Sequence, residues 1–272
     1  MPNIRNNRRL IMRRRGSSLD TDYLAWKAAV GSVGAAQEAA TNALIVALKS
    51  HSLWTVQDRI WLHASENTTQ ALTCLKSLSV ATVTGSVSHV ASQGYTGDGS
   101  TGFINTGFAN GTNYTRNDAG VSVYVRNNRT TNNTGTAIGS ADLASTGAQS
   151  VLNLLSVGNL TYDVNEGQFT AQVANTTTQG FWTAVRTGAS AHAVYKSSNS
   201  TAFASNTNAS LALTGNVVFY VHARNQNGTA NLFGSDQIAL TIIGGSMTNG
   251  TNVAQFQTDF NTYMTALGTN VY

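Results

Sequence analysis

Cysteine is nearly absent from this 272-residue chain. Its one cysteine, Cys74, excludes an intrachain disulfide, so stability must come from packing. Cys74 stands beside Leu72 and Leu75, the setting of a buried, inert thiol rather than a nucleophile. Proline is equally scarce; with Pro2 alone, the turns must be built from Gly and Asn. Charged residues make up 10% of the chain, against about 25% in an ordinary globular protein. Gly, Ser, Thr and Asn fill the gap and give a neutral surface of short polar side chains, suited to turns and the solvent faces of strands. Long apolar runs are missing too. The longest, residues 43–48, is far short of a membrane span, so no membrane insertion is expected. The N-terminus is basic without an apolar stretch, so neither a secretory signal nor a transit peptide is expected.

Groups for catalysis are sparse in the same way. Glycoside hydrolysis needs two carboxyl groups flanking one bond. The chain holds only Glu38, Glu66 and Glu166, and none has carboxylates at E-x-D-x-x-E spacing. His51, His63, His89, His192 and His222 are scattered, with no pair at zinc-site spacing. A Ser–His–Asp triad stays open in principle, but no G-x-S-x-G elbow nominates a serine. No metal site is expected, and no cofactor. Calcium is the one ion left open, through Asp98 in GDGST and Asp142 in GSADLAS. Calcium wants several oxygens, and turn-forming Asp explains both positions more simply. Residues 97–102 spell G-x-G-x-x-G, but Phe-Ile-Asn-Thr-Gly follows instead of a helix, so a nucleotide site is not expected.

What is present divides the chain into three. Residues 1–19 are a basic arm with Arg5, Arg8, Arg9, Arg13, Arg14 and Arg15 and no acid before Asp20; it more than accounts for the net charge of +4. Leu10, Ile11 and Met12 lie between its arginine clusters, which suits docking to a protein groove with an acidic rim. No aromatic residue is there to stack on bases, so nucleic acid is the less favoured partner. Residues 20–52 read as helix, capped at Asp20 or Thr21 and interrupted at Gly31 and Gly34. Ala40, Ala43, Leu44, Ala47 and Leu48 fall on one helical face, a packing surface for the sheet or a neighbouring subunit. From residue 53 to 272 the period changes. Strands are expected at 60–62, 71–78, 87–91, 102–106, 120–126, 135–140, 151–157, 160–164, 168–173, 180–186, 191–196, 217–224 and 236–243. A last helix over 253–267 presents Phe256, Phe260, Tyr263, Met264 and Leu267 on one face and stops at Gly268. Many short strands between Gly/Asn turns imply a sandwich or barrel.

Four segments then carry a resemblance: GYTGDGSTGFINTGF, GVSVYVRN, VVFYVHARNQNGT and SDQIALTIIGGSMTNGT. Together they resemble the concanavalin A-like (laminin-G-like) sandwich. FQTDFNTYMTALGTNV and LWTVQDRIWLHASEN are similar to the closing helix and the post-helical segment of a phage and prophage group with this sandwich. The resemblance spans about residues 20–272. It implies a mainly β, antiparallel jelly-roll sandwich with N-terminal helices and a short C-terminal helix. It also implies a non-enzymatic bacteriophage virion structural protein, in the tail, fibre or capsid-decoration class. On that reading the arm and helices anchor it, within a homo-oligomer, to other virion proteins on a particle assembled in the host cytoplasm. Fold alone does not decide function, since the same sandwich serves lectins and glucanases. The alternative is a carbohydrate-binding module for host-surface glycans. Its candidates are Tyr95, Tyr114, Trp182 and Asn225, expected as aromatic and amide groups at a loop rim. A glycoside hydrolase is the third reading.

Overall fold

The computed structural model describes residues 18–129, 135–213 and 217–272. Among them the helices are α1 (Thr21–Val30), α2 (Ala35–Ser50), α3 (Thr68–Leu72) and α4 (Gly250–Ala266). The strands in chain order are β1 (Gln57–Leu62), β2 (Thr82–Thr84), β3 (Val87–Val90), β4 (Gly94–Gly97), β5 (Phe103–Asn105), β6 (Ala119–Val125), β7 (Ile138–Asp142), β8 (Ala148–Ser156) and β9 (Asn159–Gly167). They continue with β10 (Gln172–Ala174), β11 (Gly180–Gly188), β12 (Ala191–Lys196), β13 (Ala204–Asn206), β14 (Tyr220–Val221), β15 (Arg224–Gln226), β16 (Thr229–Asn231) and β17 (Gln237–Gly244). One sheet runs β13-β12-β11-β6-β17-β4-β3, with β1 also on β17. The other runs β10-β9-β8-β7-β14-β5-β2, with β15 and β16 attached beside β7. The pairings are antiparallel except β15 on β7. The fold is therefore the antiparallel β-sandwich that the sequence led us to expect.

The first sheet is buried on both faces, and the alternation along its strands shows how. Val121, Val123 and Val125 of β6 and Trp182 and Ala184 of β11 point into the inter-sheet core. Tyr124, Phe181 and Val185, one residue out of phase, point to the helical layer. There α4 lays Phe256, Phe260, Tyr263 and Met264 on the sheet, the face that its periodicity predicts. Burying each phenylalanine contributes about 2–3 kcal/mol. Asn249 caps its N-terminus by accepting from the Asn252 N–H at 2.9 Å. At the other end Gly268 (φ 70°) lets the Gly268 and Thr269 N–H groups reach back to Thr265 and Met264.

The 20–52 segment, expected to anchor the chain to a partner, joins this same layer. Tyr23, Trp26, Ala40, Leu44 and Leu48 pack in one cluster with α4 and the sheet, while Ala43 stays exposed. The Gln37 amide donates to the Tyr263 hydroxyl at 2.7 Å, which ties α2 to α4. Asp20 is the cap of α1.

Two expected strands differ. Residues 71–78 begin inside α3, because the Asn67 side chain accepts from the Gln70 N–H and starts a helix there. Residues 217–224 are not one strand. His222 adopts φ 65°, and the chain reverses so that Tyr220 and Arg224 both pair with Gly139. The short strands β2, β4, β13 and β16 were not foreseen, being rich in Gly, Thr, Ser and Asn.

Candidate functional site

Strand β1 carries one extra residue against β17: Gln57 pairs with Gly244 and Arg59 with Ile243, leaving Asp58 as a bulge. The bulge aims the Asp58 carboxylate at the loop before β6. It accepts from the Tyr114 N–H at 2.8 Å, and from the Asn113 N–H and side-chain amide at 3.2 Å. Gly111 makes the approach feasible, since a Cβ there would lie 2.2 Å from Asp58 Oδ2 and 2.5 Å from the Phe108 ring. Arg59 then lies over the Phe108 ring, 4.6 Å from its centroid. Its Nη1 donates to the Asp58 carbonyl at 2.9 Å, whereas its Nε is buried without a hydrogen-bond partner.

These groups line an open cleft of about 460 Å³ formed by Asp58, Arg59 and residues 107–112. A second cleft of about 290 Å³ shares Asn110 and Gly111 with it and adds Tyr114, Thr115, Arg116, Asn165 and Leu213. Asn110 braces the shared wall by donating to the Leu213 carbonyl at 2.8 Å. Arg116 is held by Ser210, through Nε to the hydroxyl at 3.1 Å and Nη2 to the carbonyl at 2.5 Å. The double cleft presents amides, hydroxyls, main-chain groups and two guanidinium groups above aromatic rings. Asp58 is its one carboxylate among the described residues.

The sequence-nominated sugar-binding residues do not form an exposed rim. Tyr114 alone reaches this cleft, and it is a wall residue only 1% exposed. Its hydroxyl bonds Ser150 and Asn165, and burial pushes its pKa well above the usual phenol range. Tyr95 is buried against His63 and His89. Trp182 fills the inter-sheet core, with Nε1 donating to the Thr178 carbonyl at 2.8 Å. Asn225 is buried in the β15–β16 turn, where it bonds the Val218 carbonyl and the Gly228 N–H. The cost of exposing large rings accounts for the first three, and turn formation for the fourth. Arg5, Arg8, Arg9, Leu10, Ile11, Arg13, Arg14 and Arg15 lie outside the described residues.

The two calcium candidates have other work. Asp98 accepts from the N–H groups of Ser100, Thr101 and Gly102 at 2.8–3.0 Å and from both hydroxyls. Those bonds hold its carboxyl well below the usual range. They also occupy the N–H groups that a phosphate would need, and β5 follows where a nucleotide fold has a helix. Asp142 is buried and accepts from the Asn227 amide at 3.0 Å. Among the described residues no group of three His, Cys, Asp or Glu could hold a metal ion.

The densest set of titratable groups lies elsewhere, between β9 and β11–β12. Glu166 pairs with Arg186 at 3.0 Å, with both side chains fully enclosed. Arg186 also donates to the carbonyls of Val164 and Asn208. Asp163 accepts from the Phe169 and Ala171 N–H groups at 2.8 Å and from Gln149. Burial raises both carboxyls, and their mutual repulsion lifts Asp163 further. Burial, then the Arg186 charge, push His192 down to about 3, so it is neutral. Its Nδ1 accepts from Asn206 at 3.3 Å. This is acid–base equipment with little access: Asp163, Glu166 and Arg186 line neither cleft described above, and His192, itself buried, borders a separate cleft of about 310 Å³.

No protein-family model matches the chain. No curated protein matches it. Solved structures do, at low similarity. Domain 4 of AbnA, a GH43 extracellular arabinanase from Geobacillus stearothermophilus, in complex with arabinotriose, is 15% identical over 73% of this chain and 99% of its own, with a TM-score of 0.43. The binding domain of botulinum neurotoxin serotype D is 10% identical over 74% of this chain and 51% of its own, with a TM-score of 0.49. The NanB sialidase from Streptococcus pneumoniae is 9% identical over 54% and 24%, with a TM-score of 0.37. This chain thus spans about half the length of the toxin domain and a quarter of the sialidase. At these scores the matches carry no argument about a ligand.

Proposed function

We propose that this protein is a carbohydrate-binding β-sandwich and that the double cleft around Asn110 and Gly111 takes the sugar. The observation that carries the reading is the cleft's composition. An apolar ligand needs an apolar wall with a few polar groups. Here amides, hydroxyls and guanidinium groups dominate, with the buried rings of Phe108 and Tyr114 backing the wall. That balance suits a ligand dense in hydroxyls. The binding is non-catalytic on this reading. One carboxylate, Asp58, does not make the acid and base pair of a glycosidase, and its oxygens are already committed to Asn113 and Tyr114. The sequence resemblance supports a further proposal of place: a virion component, anchored by the arginine arm, that uses this cleft on host-surface glycans.

A glycan array probed with the full chain tests the reading, with Thr112→Trp as the blocking variant. Thr112 is exposed on the cleft rim, so the indole fills space without disturbing the core. Binding by the wild type, lost in a variant of unchanged melting temperature, supports the site. Undiminished binding by the variant sinks the site, and no binding to any glycan sinks the function.

A further inference from the structure

We infer that the cleft selects an anionic sugar, one bearing a carboxylate or sulfate group that Arg59 receives. The inference rests on the carbohydrate reading above and adds the charge class of the ligand. Its basis is the way Arg59 is left. Asp58 is its sequence neighbour, yet no ion pair forms between them, because the bulge commits both Asp58 oxygens to Asn113 and Tyr114. Among the described residues Arg59 makes no ion pair with any other carboxylate, and its single hydrogen bond uses Nη1. Phe108 supports the guanidinium face at 4.6 Å, which orients the fork without neutralising it. Arg116, on the adjoining cleft, bonds only Ser210 and also lacks a carboxylate partner. Two fixed guanidinium groups therefore flank the shared Asn110–Gly111 wall in a chain with few charges. A guanidinium meets a carboxylate or sulfate in a planar fork and loses little freedom when already held.

Arg186 shows the alternative. Its guanidinium meets a carboxylate at 3.0 Å and several carbonyls, and the buried Arg224, which has no ion pair among the described residues, donates instead to the side-chain oxygens of Asn231, Gln149 and Gln226. Arg59 has neither a carboxylate nor such a set of acceptors, and its countercharge comes from outside.

The test is calorimetric titration of the full chain with three probes of matched length: oligogalacturonate, sulfated galactan oligosaccharide and neutral galactan oligosaccharide. At least one charged probe should bind ten-fold or more tightly than the neutral one, with affinity falling as salt is raised. Arg59→Gln should remove that preference and Arg59→Lys should keep part of it, both with unchanged circular dichroism. The two charged probes distinguish carboxylate from sulfate. Equal affinity for charged and neutral probes, or a preference unaltered in Arg59→Gln, overturns the inference and leaves the carbohydrate reading standing. No binding of any of the three overturns both.

Discussion

Arg186 and Arg59 each sit within reach of acidic groups, and the sandwich treats them in opposite ways. Arg186 is enclosed between the sheets, paired to Glu166 and bonded to several carbonyls, with Asp163 and His192 completing a closed set. Arg59 stands in an open cleft, and its nearest carboxylate is occupied by the backbone of the next loop. The closed cluster has the shifted acids and bases that usually advertise chemistry, yet it functions as a clamp between β9 and β11–β12. The open cleft has cations, Arg59 and Arg116, without carboxylate partners among the described residues, and the space for a ligand. Shifted titration marks a functional site only where a reactant can arrive. In this fold the missing partner is the better marker.

The largest expected effect is at the clamp. Arg186→Met strands the buried acids and should cost about 3–5 kcal/mol in urea unfolding at pH 7. A loss below about 1 kcal/mol would mean that water reaches the cluster, and the distinction between the two regions would blur. Acid comes next. Burial holds His63 at about 4 and His192 and His222 at about 3. Groups depressed in the fold stabilise it fully above their unfolded value near 6.5 and lose that contribution as pH falls through the folded values. The raised Asp163–Glu166 pair has the opposite sign, since its contribution is lost as pH rises. Three histidines outweigh it, so the unfolding free energy from urea titration should drop as pH is lowered from 6.5 to 4, by about 1.4 kcal/mol per pH unit for each net proton. An unfolding free energy that grows as pH is lowered over that window would show that the carboxyl pair dominates.

A smaller effect belongs to Asp58. Asp58→Ala leaves the Asn113 and Tyr114 N–H groups without an acceptor and should cost about 2 kcal/mol. Ligand affinity should drop with it, as the loop that shapes the cleft relaxes. The smallest effect on stability is Arg59→Gln, within about 0.5 kcal/mol, because no ion pair is broken.

Much of the fold was legible in the residues. Val121-Ser-Val-Tyr-Val announces a strand, and the Phe256, Phe260 and Tyr263 spacing announces α4. The Gly/Asn turns set the sandwich class. What was hidden is what the third dimension decides. Asn67 converts the start of an apparent strand into a helix. His222 reverses a chain whose composition reads as one continuous strand. The closed cluster draws on positions 163 and 166 of β9, 186 of β11 and 192 of β12, so no local motif reveals it. Arg59 carried a faint signal, a lone cation between Asp58 and the buried Ile60-Trp61-Leu62, but its lack of a partner depends on a bulge that pattern alone does not show. The aromatic residues nominated for sugar were large rings, and large rings are mostly buried in cores.

The most direct test compares melting temperatures of wild type and Arg59→Gln, each with and without saturating anionic oligosaccharide. A ligand that binds only the folded state raises the melting temperature by mass action. The two free proteins should melt together, and the sugar should raise the wild type clearly further than the variant. Arg59→Gln melting well below wild type without ligand would make Arg59 a structural residue like Arg186. An equal ligand-induced rise in both would contradict the claim that the Arg59 guanidinium is the site.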